Sequence, residues 1–196
     1  MIKISYILGR FSEKVGSKFQ YFPINSWHKD IDEAKKLKIN YVEWIISDFS
    51  NPIFNEKFSK IIKKELKIKK IKISAIGLDL LLNDPLFKIN EKDFFWIIKN
   101  LKKIIRLYNI KRVTVPLEEN AKISRYQDYL LAKKRLRLIL RMLSNETKIC
   151  IETDLSIMNI KKLFNQKGLK NLGLLLDIGN IKANGYELKD FINFFP

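Results

Sequence analysis

Two carboxylates stand at the places in this chain where chemistry is expected. Glu152 closes the apolar run that opens Lys148-Ile-Cys-Ile, and Asp177 closes the run Gly173-Leu-Leu-Leu. Each run has the length and flanks of a buried strand. A parallel strand that ends in a carboxylate delivers it to the edge where α/β proteins build their sites. Arg10, Glu43 and Asp79 occupy comparable positions at or near the ends of other apolar runs, and Asn180 follows Asp177 by three residues. The fork of Arg10 suits a phosphate or carboxylate. Glu43, a charge inside Tyr41-Val-Glu-Trp-Ile45, needs a partner, either Arg10 or the hydroxyls of a substrate. Asn180 is placed to reach the same substrate. All of these have ordinary uses as well. Glu152 can pair with Lys148, Asp177 or Asn180 can cap a helix, Glu43 can sit in a structural ion pair and Arg10 can lie in solvent.

The elements that must position these groups alternate. Apolar strand patterns begin near residues 3, 41, 71, 112, 148 and 173, with amphipathic helical patterns between them. The second helix is marked by Phe54, Phe58, Ile61, Ile62 and Leu66, and the third by Phe95, Ile98, Leu101, Ile105 and Tyr108. A loop with Gly16 and Pro23 follows the first strand, Asn25 or Ser26 caps the first helix, and Pro116 closes the fourth strand. The spacings of 38, 30, 41, 36 and 25 residues are the size of βα units, and six such units demand a parallel sheet covered by helices. Neither G-x-G-x-x-G nor a phosphate-binding G-x-x-x-x-G-K-[ST] loop occurs, which argues against an open nucleotide-binding sheet. The ring of polar groups at the strand ends favours a (β/α)8 TIM-barrel type with six units present. Residues 1–196 read as one partial barrel domain. A closed barrel takes about 250 residues. The apolar ending Phe191-Ile-Asn-Phe-Phe-Pro196 therefore reads as a cut, with the last two units missing.

Composition bounds the rest. The 46% hydrophobic and 30% charged content is that of a globular protein, and no apolar run is long enough to span a membrane. Without a signal peptide pattern the chain reads as cytoplasmic. The single cysteine, Cys150, lies inside an apolar strand and reads as packing. A net charge of +17 points toward nucleic acid in principle. Only 7 of the 38 basic residues are Arg, however, and Lys is spread over every amphipathic segment beside abundant Ile and Asn, so the charge reads as solvated helix faces. The Lys-Lys-Arg-Leu-Arg cluster at 133–137 is the densest local exception and reads as the polar face of a helix.

The order of short motifs is what carries a family likeness. Ile7-Leu-Gly-Arg-Phe11, Phe19-Gln-Tyr-Phe-Pro-Ile-Asn-Ser-Trp27, Tyr41-Val-Glu-Trp-Ile45, Ile73-Ser-Ala-Ile-Gly-Leu-Asp79, Ile149-Cys-Ile-Glu-Thr-Asp-Leu155 and Leu174-Leu-Leu-Asp-Ile-Gly-Asn180 together resemble the xylose isomerase-like TIM-barrel family of sugar phosphate isomerases and epimerases. The nearest group is that of the ribulose- and xylulose-phosphate 3-epimerases. The resemblance implies a divalent metal held by Glu, Asp, His and a second Glu on the last four strands. Glu152 matches the first ligand and Asp177 the second, and the other two would lie on strands seven and eight. His28, the only histidine, opens the first helix and cannot substitute. The metal implied is manganese, magnesium or cobalt, with zinc as a further candidate.

In that family reading Glu152 is both ligand and base in a proton transfer next to a ketose carbonyl, through an enediolate that the metal stabilises. Asp177 is a ligand, and Arg10, Glu43 and Asn180 bind substrate. The partner is a small sugar or sugar phosphate, with neither membrane nor nucleic acid, and open sheet edges allow a homo-oligomer. The alternatives are a non-catalytic barrel remnant that binds a sugar or a protein, and an apurinic-site endonuclease, whose zinc cluster would require histidines that the third and fourth strands lack.

Overall fold

The computed structural model describes residues 4–12, 21–143 and 146–194. Lys3, Gly16, Phe19 and Pro196, on which the sequence reading drew, lie outside them. Strands β1 (Tyr6–Ile7), β2 (Tyr41–Ile45), β3 (Lys72–Gly77), β4 (Arg112–Leu117), β5 (Lys148–Thr153) and β6 (Gly173–Leu174) form one parallel sheet in the order 1-2-3-4-5-6. A doubly wound sheet reverses its order at a switch point. A monotonic order, each strand pairing with the next, is instead that of a (β/α) barrel, and the six strands make a partial one.

The helices between the strands are α1 (Trp27–Lys36), α2 (Glu56–Lys69), α3 (Leu80–Asn83), α4 (Glu91–Tyr108), α5 (Tyr126–Leu143) and α6 (Ile157–Phe164), and α7 (Ile178–Ala183) and α8 (Leu188–Phe194) follow β6. Their caps follow local chemistry. Asn55 and Asn90 accept backbone N–H groups at the starts of α2 and α4, and Asn109 ends α4 in a left-handed conformation at φ 56°. Ser26 and Ser156 precede α1 and α6 without a side-chain cap bond.

The strands have two chemically distinct faces. Val42, Trp44, Ile76, Val113, Val115, Ile149 and Ile151 belong to the main core, packed with Ile31, Ile62, Leu101, Leu136 and Leu163 from the helices. Because strand side chains alternate, Glu43, Thr114, Pro116, Cys150 and Glu152 fall on the opposite face, which is the barrel interior. The interior is therefore small and polar where the helix side is apolar.

Several local expectations are corrected. Pro116 does not close β4. Pro116 pairs in register with Glu152 and the strand runs on to Leu117. On β4 the backbone of Thr114 faces β3, accepting from Leu78 N at 3.1 Å, so the N–H that Pro116 lacks would point to the same side. There the β3 pairing has already stopped at Gly77 opposite Thr114, and no ladder bond is lost. β6 is only two residues long and lies at the edge of the sheet, with Leu176 exposed. Asp177 therefore lies beyond the strand.

The helix phases also differ from expectation. α2 buries Ser59, Ile62 and Leu66 and exposes Phe58 and Ile61, while α4 exposes Phe95 and buries Phe94 and Ile97. The short helix α3 has no counterpart in the sequence reading, while α7 is a helix of the kind that the capping use of Asp177 allows.

Gly173 leaves no room for a side chain against β5. A Cβ there would stand 2.6 Å from the Sγ of buried Cys150, its register partner. Gly173→Ala is expected to destabilise the fold by about 1–3 kcal/mol, and adding Cys150→Ala to recover most of that loss. Denaturant unfolding of the single and double variants checks it, and equal stabilities for the two would contradict the close approach.

Candidate active site

Above the carboxyl ends of the strands lies a cavity of about 370 Å³, lined among others by Arg10, Tyr21, Ser47, Asp79, Glu118, Glu152, Asp177 and Asn180. Five of these were expected at the strand ends or beside them, namely Arg10, Asp79, Glu152, Asp177 and Asn180. Glu43 does not line the cavity.

The left wall is set by the turn after β1. Gly9 has φ +101°, and a Cβ there would lie 2.8 Å from the carbonyl oxygen of Tyr21, so glycine is required on both counts. The Gly9 N–H and the Ser12 hydroxyl both donate to Asp30, a fully buried carboxylate of α1. That anchor fixes the turn carrying Arg10 to the rim. Tyr21 donates to Asp48, and the Phe22 N–H donates to Ser47 Oγ at 2.7 Å, which hold the adjoining segment against the end of β2.

The floor is Glu43. Its Oε1 accepts from Thr114 Oγ1 at 3.4 Å, and burial, then the neighbouring Asp79, raises its carboxyl above the usual carboxylate range. Gly77 leaves room for Ile45 and Asp79, since a Cβ there would meet Ile45 Cδ1 at 2.8 Å and Asp79 Oδ1 at 3.1 Å. Glu43 thus supports the site from beneath.

The right wall carries Glu152, Asp177, Asn180 and a residue that sequence reasoning missed, Glu118. Asp177 is the N-cap of α7, its Oδ1 accepting from Asn180 N at 2.9 Å. Asn180, read from sequence as a substrate group or a cap, is inside the helix, and its Nδ2 donates to Glu118 Oε2. Glu118 follows β4 by one residue and is buried. Reading Pro116 as a strand stop hid it. The available signal was a carboxylate just beyond a strand, as at the end of β3.

Glu152 is strongly perturbed. Burial, followed by the charges of Glu118, Asp177, Glu43 and Asp79, pushes its carboxyl up to about 8. Burial, then Glu119, Asp177, Asp154 and Asp79, pushes Glu118 up to about 7. Among the described residues no cation pairs with either, and the pairing of Glu152 with Lys148 does not occur. The nearby Asp154 is instead neutralised by Lys122 at 2.9 Å.

The donor set is one of hard oxygens. Among the described residues no three His, Cys, Asp or Glu side chains are placed to hold a metal together. Glu152 and Asp177 can supply two ligands. That fits an ion such as Mg²⁺, which keeps several waters and commonly takes one or two carboxylates.

Because the folded pKa values of Glu118 and Glu152 lie above their ordinary value of 4.5, both favour folding fully below that value, and their contribution is lost as pH rises through about 7 and 8. Without divalent metal, stability is expected to fall between pH 5 and 9 in urea titrations. Glu152→Gln should flatten that fall and stabilise the chain by about 1–2 kcal/mol at pH 8. A wild-type stability that rises over the same range would refute the electrostatic reading.

Scanned against family models and curated proteins, the sequence matches none. Solved structures match the fold. The probable 3-DHS dehydratase AsbF of Bacillus anthracis superimposes with a TM-score of 0.68 at 14% identity, over 98% of this chain and 69% of its own. An AP endonuclease of family 2 from Brucella melitensis gives 0.67 at 13%, over 99% and 75%. A xylose isomerase-like TIM barrel protein from Mycobacterium smegmatis, solved in complex with magnesium, gives 0.60 at 14%, over 81% and 58%. Likeness at these identities speaks to the fold.

Proposed function

We propose that this chain, which has the fold of the xylose isomerase-like TIM barrels, belongs to a metal-dependent enzyme that moves a proton at the carbon next to the carbonyl of a sugar or sugar phosphate. The observation that carries this reading is Glu152, a carboxylate on the barrel interior that lines a strand-end cavity and has no ion-pair partner among the described residues. A base must be within reach of the proton it takes, and the place of Glu152 in the cavity wall supports that role.

Glu152 and Asp177 would hold the metal, and the magnesium in the Mycobacterium smegmatis barrel supports a hard divalent ion. When bound, such an ion stabilises negative charge developing on a substrate oxygen. The chain's own residues do the rest. Glu152 takes and returns the proton. Asp177 keeps one oxygen on the α7 cap, so the other is left to face the cavity. Arg10, at the rim, suits the phosphate or another anionic end of the substrate. Asn180 and Glu118, bonded to each other, present an amide and a carboxyl to substrate hydroxyls. A zinc-cluster hydrolysis of the endonuclease kind would call for imidazoles, and the cavity wall offers carboxylates.

Metal binding is tested first. Mg²⁺ or Mn²⁺ at about tenfold above its Kd is expected to stabilise the chain by about 1.4 kcal/mol. Glu152→Gln and Asp177→Asn should remove that gain while Asp190→Asn keeps it, as read by thermal melts. Catalysis is tested by exchange of substrate C–H protons with D₂O, followed by NMR on a panel of ketoses and ketose phosphates with the metal present. Glu152→Gln should slow exchange by about 10²–10⁴-fold. Metal and sugar binding without any wild-type exchange would replace the enzyme with a sugar-binding barrel.

A further inference from the structure

A second feature lies at the opposite end of the sheet. The carboxyl half of α5 and the 167–171 turn before β6 enclose a groove of about 640 Å³, lined by Arg137, Leu140, Arg141, Lys167, Gly168, Lys170 and Asn171. α5 runs back toward the amino ends of the strands, so this groove is remote from the carboxylate cavity and independent of the reading given to it.

Four cations from two elements converge there with no carboxylate in the lining. Among the described residues none of the four is in an ion pair. Some basic side chains elsewhere are neutralised in place, as in Arg106 with Glu146, Arg125 with Asp128 and Lys69 with Asp32 and Glu65, so what sets the groove apart is the convergence of four cations on one surface. The groove is also built. Arg137 donates through Nε to the Lys167 carbonyl at 2.8 Å, and Gly168 turns at φ +82° where a Cβ would meet the Arg137 stem at 3.6 Å. The guanidinium is thereby fixed through one nitrogen, with its outer nitrogens left over. Gathering like charges without a counter-ion costs stability, and an anion relieves it.

The basic cluster at 133–137 divides in the folded chain. Arg135 turns inward, donating to the Leu86 carbonyl at 2.6 Å and lying over Phe94 at 5.2 Å. Lys133 and Arg137 stay outside and continue to Arg141 at intervals of four, one helical face. That face begins with Tyr126 and Tyr129, whose rings stack at 6.3 Å, and Lys133 lies 5.2 Å over Tyr129. Tyr126 is 75% exposed. A row of cations on one helical face ending in the open ring of Tyr126 is a combination that binds a single-stranded nucleic acid, with phosphates on the charges and a base on the ring.

We propose that the outer face of α5 and the 167–171 turn bind single-stranded nucleic acid. The probe is a fluorescein-labelled oligo-dT of about 16 nucleotides, followed by anisotropy from about 50 to 200 mM salt. Arg137→Gln, Arg141→Gln and Lys170→Gln together should weaken binding at least tenfold and lower the salt slope by about 2, near 0.7 for each phosphate that is no longer neutralised. A matched triple on other helices, Lys57→Gln, Lys64→Gln and Lys99→Gln, should stay within twofold, and Tyr126→Ala should lose severalfold. If melting shows the first triple to be unfolded, Lys167→Gln with Lys170→Gln on the turn serves instead, with a loss of at least threefold expected. Equal losses for the groove and the matched triple would overturn the proposal, as would no binding at the lowest salt. So would competition by base-free polyphosphate as strong as by oligo-dT together with an unchanged Tyr126→Ala.

Discussion

The desolvation of carboxylates on the inner face of a parallel sheet is the constraint on which this structure turns. A strand covered by helices on one side and enclosed on the other offers its inward side chains little water, and a charge placed there must be answered by a partner. Glu43 is answered from within by the Thr114 hydroxyl. Glu152 and Glu118 are not answered by any cation among the described residues, and each lies among further acids. A fold of ordinary marginal stability retains such a cluster at a cost, and clusters of this kind mark sites that act on something.

The scaffold shows how that cost is carried. The helix-facing side of the same strands is fully apolar and packed, so stability is supplied on one face and function on the other. Fixed anchors then locate the rim. Asp30 ties down the turn that carries Arg10, and Asn51, accepting from Trp44 Nε1 at 3.1 Å and donating to the Ile45 carbonyl at 2.9 Å, holds the segment after β2. Asp177 spends one oxygen on a helix cap, which orients the carboxylate without neutralising it.

Much of this was legible in the residues, for reasons that differ by element. Long central strands such as β5 announce themselves, because burial on both sides leaves little but β-branched and small residues until the closing Glu152. Edge strand β6 does not. Its leucines extend past the two residues that pair, and Asp177 looked like a strand end when it is a cap. Helix phase was misjudged where aromatics lie outside. Phe58 and Phe95 are exposed, while Ser59 is buried where its hydroxyl meets Tyr108 from α4. That is a tertiary fact with no local signature. Glu118 was lost to a rule about proline that holds only where a neighbouring strand is present to want the missing N–H.

Pro116 also bears on how the site keeps its height above the sheet. β4 meets β5 through six register pairs, but it meets β3 through only two, the second at Thr114, two residues before the proline. If β4 slid along β3, the imide nitrogen would be brought opposite a carbonyl that it cannot serve, so the slide is opposed. Glu152 is the partner of Pro116 in the longer ladder. The proline therefore works as a stop in the threading of the sheet, and the elevation of the central carboxylate is set by a backbone atom that is missing.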